Sequence, residues 1–269
     1  MPGKTMVGGT VYDVTPGGIL IAGTFRNISY GKTMVGGTAY EIPFAKGTPI
    51  SEYPVGSIVK MNVAGTARDW IIVHQGLPSS IYDDSCNGTW LLMKDIYEKR
   101  QWHRSNVNDY ANSTIHSYLN STFLAMFDSN IQNVIKQVKI PYVNGTGSSG
   151  SVASGANGLS AKIFLLSVYE VGSTVEIQPT QVLFVDGECL SYFSPPSHTD
   201  TRRIAYLNGT ATHWWLRSPM KFSQSTGAYA GIARSKGDLS GARCTSSYGV
   251  RPALVLPSSL LVSDDLLIA

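Results

Sequence analysis

The sequence predicts an α+β fold, on three observations. Charged residues make up only 14% of the 269-residue chain, aromatics reach 10%, and Gly, Ser, Thr and Asn recur throughout, a mixture that favours strands and ordered loops over long helices. Two stretches nevertheless space their apolar residues as helices do. Several short apolar runs, bounded by turn residues, have the length of strands.

The first fifty residues repeat themselves. GKTMVGGTVYDV (Gly3–Val14) returns 28 residues later as GKTMVGGTAYEI (Gly31–Ile42), with eight consecutive identities. In each copy a Gly-Gly pair precedes an alternating segment, the pattern of a tight turn feeding a short strand. Two copies are fewer than a self-supporting stack needs, so residues 1–52 are expected to be a small β-rich module for attachment or assembly. The pattern changes around GTPISEYPVGS (Gly47–Ser57), and a second domain is expected over residues 53–269.

Within that domain DWIIVHQG (Asp69–Gly76) reads as a strand. A helix is expected over Thr89–Trp102, with Leu91, Leu92, Ile96 and Tyr97 on one stripe, and another over Asp109–Phe127, with Ala111, Ile115, Tyr118, Leu119 and Phe123 aligned. Thr89 and Asn108 are suited to N-capping them. From Val134 onward strands and loops dominate, including the apolar run AKIFLLS (Ala161–Ser167).

Net charge is +3, and no basic run or basic-aromatic ladder occurs, so nucleic acid is not an expected partner. No segment has the apolar length of a membrane span, and MPGKTMVGGT has no signal-peptide core, so neither membrane insertion nor secretion is expected. Cys86, Cys189 and Cys244 are odd in number and widely spaced, which reads as buried thiols. The histidines His74, His103, His116, His198 and His213 lack metal-ligand spacing, and neither a cofactor nor a metal is expected. Gly145–Gly150 satisfies G-x-G-x-x-G, with Glu170 at the distance of a ribose contact, but no helix N-terminus follows to hold a pyrophosphate. Asp83–Gly88 begins like a calcium loop yet places Lys94 where the bidentate Glu belongs, so an Asx-type turn is the simpler reading. Trp214 and Trp215 point to opposite faces of a strand, one ring toward the core and one beneath a binding surface. Arg217 and Arg251 stand in apolar frames and are expected to be buried and hydrogen-bonded.

WWLRSP (Trp214–Pro219), YGVRPALVLP (Tyr248–Pro257), the helical NDYANSTIHSYLNSTF (Asn108–Phe123) and the strand IKQVKIPY (Ile135–Tyr142) together resemble a bacterial and prophage domain family of the C-type lectin fold. The resemblance covers roughly Val55–Pro257, and its members include the variable proteins of diversity-generating retroelements. The KTMVGGT copies resemble N-terminal segments of phage virion or tail-tip proteins. The resemblance implies a C-type lectin-like fold of the formylglycine-generating-enzyme subclass, preceded by the β-rich module. In such variable proteins a reverse transcriptase rewrites adenines in the 3′ region of the gene, altering an exposed patch within a fixed frame. The insert then reads as a hairpin-like pair turning near Lys236-Gly237, with Trp214, Leu216, Ala253 and Val255 of the flanking motifs in the fixed core, and Ala228, Gly237, Leu239 and Cys244 fall to the scaffold. The exposed ligand-binding candidates are Lys221, Phe222, Ser223, Gln224, Tyr229, Gly231, Arg234, Lys236, Asp238, Ser240, Gly241, Ala242, Arg243 and Thr245. Lys221, Arg234, Lys236 and Arg243 outweigh Asp238, which favours an acidic partner.

The implied function is a phage- or prophage-encoded, non-enzymatic receptor-binding or adhesion protein. Its partners would be a host-surface protein or glycan and, through the N-terminal module, other virion or tail proteins; a homo-oligomer is compatible with this. It would reside in the phage tail, or in the bacterial cytoplasm before assembly. The alternatives are a formylglycine-generating-type oxidase, against which Cys244 stands alone near the C-terminal core, and a purely structural virion protein.

Overall fold

The computed structural model describes residues 47–144, 150–174, 184–220 and 227–268, together with backbone strands between residues 3 and 42. Both copies of the repeat form antiparallel hairpins in the same register, Val7 opposite Thr10 and Val35 opposite Thr38.

Ten strands make the two main sheets: β1 (Ile58–Val63), β2 (Thr66–Gly76), β3 (Gly88–Met93), β4 (Glu98–Gln101), β5 (Ile163–Phe164), β6 (Trp214–Met220), β7 (Tyr229–Ala233), β8 (Leu239–Arg243), β9 (Ser247–Val250) and β10 (Ala253–Leu256). The first sheet runs β5-β10-β3-β2-β1 and the second β4-β9-β6-β7-β8. The chain passes between the sheets four times, from β3 to β4, from β4 to β5, from β5 to β6 and from β9 to β10. The first and last passages are pinned to each other, because Met93 N–H donates to the Pro252 carbonyl at 2.9 Å.

The α+β expectation is corrected to a predominantly β architecture. Among the described residues α-helix is confined to α1 (Thr114–Tyr118) and α2 (Ser129–Val134). The lectin-like fold implied by the resemblance included the longer upstream helices, and it is not retained. Thr89–Trp102, expected as a helix, supplies β3 and β4 instead. All six residues of β3 are buried, since the strand lies between β2 and β10 with both faces covered. An apolar run buried on both faces carries no period-two signature, so its spacing imitates a helix.

The second expected helix survives only in part. Its N-cap is Ser113, whose hydroxyl accepts the His116 N–H at 3.1 Å, and not Asn108, which is buried and donates to the Tyr229 carbonyl at 3.0 Å. After Tyr118 the chain widens into a π turn over Leu119–Phe123. There the Asn120 side chain accepts from Lys162 N–H at 2.9 Å and donates to the Ile163 carbonyl at 2.8 Å. Ser121 Oγ back-bonds to the Ser117 carbonyl at 2.6 Å, a contact that bends helices. The expected strand over Asp69–Gly76 is present within β2.

Residues just ahead of the expected boundary at residue 52 pair and pack with the C-terminal part of the chain. Thr48–Pro49 pairs with Leu261–Val262, and Ile50 is fully buried. Trp90 packs within the core of the first sheet, its ring meeting Tyr82 and Phe164 edge-on at 5.5 and 5.4 Å. No described helix is long and apolar enough to cross a membrane.

Leu216, Trp214, Ala253 and Val255 are all fully buried, as the frame reading requires. Leu216→Ala is expected to cost about 2–5 kcal/mol of unfolding free energy, and Lys236→Ala, at an exposed position, no more than about 0.5 kcal/mol. Chemical denaturation of the two variants measures the contrast.

Candidate functional site: the framed hairpin

The segment between the two C-terminal motifs folds as a hairpin of β7 and β8, with Gly231 opposite Gly241 and Ala233 opposite Leu239. It turns near Lys236-Gly237, as the sequence implied. The turn closes through Gly237 N–H to the Arg234 carbonyl at 2.9 Å and Arg234 N–H to the Asp238 carbonyl at 2.8 Å. Gly237 adopts φ +87°, and a Cβ there would stand 2.3 Å from the Asp200 carbonyl oxygen. Glycine is therefore dictated twice, by conformation and by space.

Strand β6 meets β7 irregularly. Trp215 pairs with Ile232 and Pro219 with Ala230, so Leu216, Arg217 and Ser218 together oppose Gly231 alone. A bulge of this kind re-aims side chains, and here it delivers Arg217 and Ser218 into the interior. Gly231 accommodates the crowding, since a Cβ at that position would lie 2.6 Å from a Val168 methyl.

Arg217 is the centre of a buried polar network. Its guanidinium forms a two-pronged ion pair with Glu170, the Nη2–Oε1 contact being 2.7 Å. It also donates to the carbonyls of Pro141, Leu165 and Asp186 at 3.0, 3.0 and 2.8 Å. Glu170 further accepts from Tyr82 Oη at 2.8 Å and Ser167 N–H at 2.9 Å. Ser218 Oγ donates to the Asp186 carboxylate at 2.7 Å and accepts Val168 N–H at 2.9 Å. Burial opposes the Arg217 charge, but Glu170 outweighs it and raises the guanidinium's affinity for its proton. Burial pushes the Asp186 carboxyl up to about 6, against the lowering influence of Arg217.

A second buried arginine fixes the hairpin turn. Arg203 donates to five carbonyls, those of Val171, Gly172, Ser197, His198 and Gly237, and Asp200 N–H also bonds the Gly237 carbonyl at 3.1 Å. Arg251 is buried as expected. It donates to the Met93 carbonyl at 2.8 Å and lies 4.9 Å from the Trp214 ring. Its Nη1 is buried without a partner, and burial lowers its pKa to about 10.

The structure redistributes the candidate binding residues. Arg234, Lys236, Arg243 and Thr245 are exposed, while Tyr229, Asp238 and Gly241 are half-buried. Gly231, Ser240 and Ala242, expected at the surface, are buried, because both faces of the hairpin are largely covered. Ser240 Oγ accepts from Arg234 at 2.8 Å, and Arg234 also pairs with Asp238 at 3.0 Å. Lys221, Phe222, Ser223 and Gln224 lie outside the described residues. Of the scaffold assignments, Gly237, Leu239 and Cys244 are buried, and Ala228 packs half-buried against the core. Trp215, expected beneath a binding surface, is fully buried like Trp214, with its Nε1 donating to the Arg100 carbonyl at 2.8 Å.

Other sequence motifs resolve locally. Asp83 caps a short turn by accepting Ser85 N–H at 2.9 Å, as the Asx reading has it. Residues 145–149 of the glycine-rich loop lie outside the described residues, and Glu170 belongs to the ion pair. Sequence reasoning missed Glu170, Asp186 and Tyr82 as one assembly around Arg217, and Arg203 beneath the hairpin turn. Only the isolated arginine in WWLRSP signalled that a buried partner had to exist.

The family model described as "Domain of unknown function (DUF6273)" matches residues 87–258. The chain belongs to this family. Its matched span contains Arg217, Glu170, Asp186 and the whole hairpin, but stops short of β1, β2 and the N-terminal repeats. No curated protein and no solved structure matches the chain.

Glu170→Ala should cost about 3–5 kcal/mol, because it leaves the Arg217 charge buried without its carboxylate; equilibrium denaturation measures this. Asp186 has the opposite linkage from most carboxylates. With its folded pKa raised, its contribution to stability is complete below about 3.8 and is lost as pH rises through about 6. Asp186→Asn, compared with the parent chain, should therefore gain stability as pH rises from about 3.8 through about 6 and keep that gain at higher pH, as a pair of denaturation series would record.

Proposed function

We propose that the protein is a phage- or prophage-encoded recognition protein that presents the β7–β8 hairpin to an acidic partner on a host surface. The observation that carries this reading is the contrast within the hairpin. Its turn is clamped from inside by Arg203 and Asp200, and Arg234, Lys236 and Arg243 stand outside. A rigid support beneath exposed cations orders few groups on binding, which favours affinity. The cations steer an anionic ligand toward the hairpin.

In this reading the gene is of the retroelement-diversified kind. Variation is limited to side chains that do not hold the frame, so Gly231, Ser240 and Ala242 belong with the scaffold. The recognition surface is then narrower than the segment between the motifs. The paired N-terminal hairpins serve attachment to other virion components. A neighbouring reverse-transcriptase gene, and a near-duplicate of the 3′ coding region differing at adenines, would be found in the flanking DNA.

The experiment replaces Arg234, Lys236 and Arg243 together by Glu and measures association with anionic and neutral surface polysaccharides at two ionic strengths. The parent chain should prefer the anionic set, with an on-rate that falls as salt rises. The triple variant should lose most of that on-rate and most of its salt dependence. Equal binding by both proteins would place recognition elsewhere on the molecule.

A further inference from the structure

His74 and Ser191 are 117 residues apart in sequence and met in no motif. The fold brings Ser191 Oγ to 2.8 Å from His74 Nδ1. The same nitrogen faces Ser191 N–H at 3.4 Å, so Nδ1 is the acceptor and carries no proton. In the neutral imidazole the proton then sits on Nε2. His103 and His213 likewise accept backbone N–H groups at Nδ1, from Thr114 and Ser235 at 3.1 and 3.0 Å. At His74, by contrast, the shorter contact comes from a hydroxyl.

We propose that Ser191 and His74 form a nucleophile–base dyad that hydrolyses carboxylic esters. Three features carry it. The hydroxyl is on an exposed residue, whereas His74 is half-buried near the end of β2. The base lies within hydrogen-bond reach of the nucleophile, the arrangement that activates serine. The loop bearing Ser191 is also held rigidly, because Arg202 donates to the carbonyls of Tyr192, Phe193 and Ser194 while pairing with Asp200.

In the acylation step Ser191 Oγ bonds to the ester carbonyl carbon as its proton passes to His74 Nδ1. The carbon–alkoxide bond breaks, and the alkoxide leaves as the alcohol with that proton. Water, deprotonated by Nδ1, then attacks the acyl-serine; the Ser191 Oγ–acyl bond breaks, the proton passes from Nδ1 to Oγ, and the carboxylic acid is released. Ester and water are consumed, acid and alcohol are formed, and no other reactant is needed. This activity is independent of the recognition reading, since it involves neither the hairpin nor its cations.

The test treats the full-length chain with a biotinylated fluorophosphonate, locates the adduct by peptide mass spectrometry and follows p-nitrophenyl acetate hydrolysis. Wild type should carry the adduct on Ser191, and Ser191→Ala should abolish both signals while retaining the parent melting curve. His74→Ala should slow labelling about a hundredfold, the scale of a lost general base. His74→Gln serves in its place if the alanine variant melts below the assay temperature. Absence of an adduct at Ser191, or equal labelling in the folded His74 variants, would reduce the pair to a structural cap and overturn the proposal.

Discussion

A guanidinium with no access to water has to be matched by charge and by acceptors, and the Arg217–Glu170 pair meets that constraint at the centre of this fold. The two residues are fully buried and lie on different parts of the chain, β6 and the irregular segment after β5. Satisfying Arg217 recruits the carbonyls of Pro141, Leu165 and Asp186. Satisfying Glu170 recruits Tyr82 and Ser167. Segments with little regular secondary structure are thereby held as firmly as strands, because each must supply one acceptor or donor to a network that tolerates no vacancy.

The bulge in β6 is the local geometry that makes this network reachable. A regular strand would alternate Leu216, Arg217 and Ser218 across the sheet. Instead the three face one glycine in β7, and Arg217 and Ser218 both reach buried carboxylates. The same region then anchors the hairpin, with Arg203 and Asp200 gripping the Gly237 carbonyl from beneath. The proposed recognition surface thus rests on buried arginines, and its exposed cations are carried on backbone whose position is set elsewhere.

Legibility from sequence differed between kinds of feature. The frame residues Trp214, Leu216, Ala253 and Val255, the turn at Gly237, the strand at Asp69–Gly76 and the Asx turn at Asp83 rest on local chemistry or on apolar runs at chain positions already fixed by their neighbours. The helix expected over Thr89–Trp102 failed because Trp90 to Met93 are buried on both faces of a central strand, which erases the alternation that marks most strands. The surface expected at Gly231, Ser240 and Ala242 failed for a related reason. Small and polar residues read as exposed, yet Gly231 is crowded by Val168 and Leu216, and the buried Ser240 accepts a hydrogen bond from the Arg234 guanidinium.

By itself the sequence determined the repeated hairpins, the paired apolar motifs around a small-residue insert, and the requirement that Arg217 be buried with a partner. Each follows from periodicity, turn chemistry or the cost of an unpaired charge. Only the tertiary structure decided that the partner is Glu170, that β3, a third of the way along the chain, is a strand, and that Ser191 meets His74. These outcomes depend on which distant segments share a layer. Local propensity does not encode that choice; it emerges when buried surfaces and buried polar groups are satisfied together.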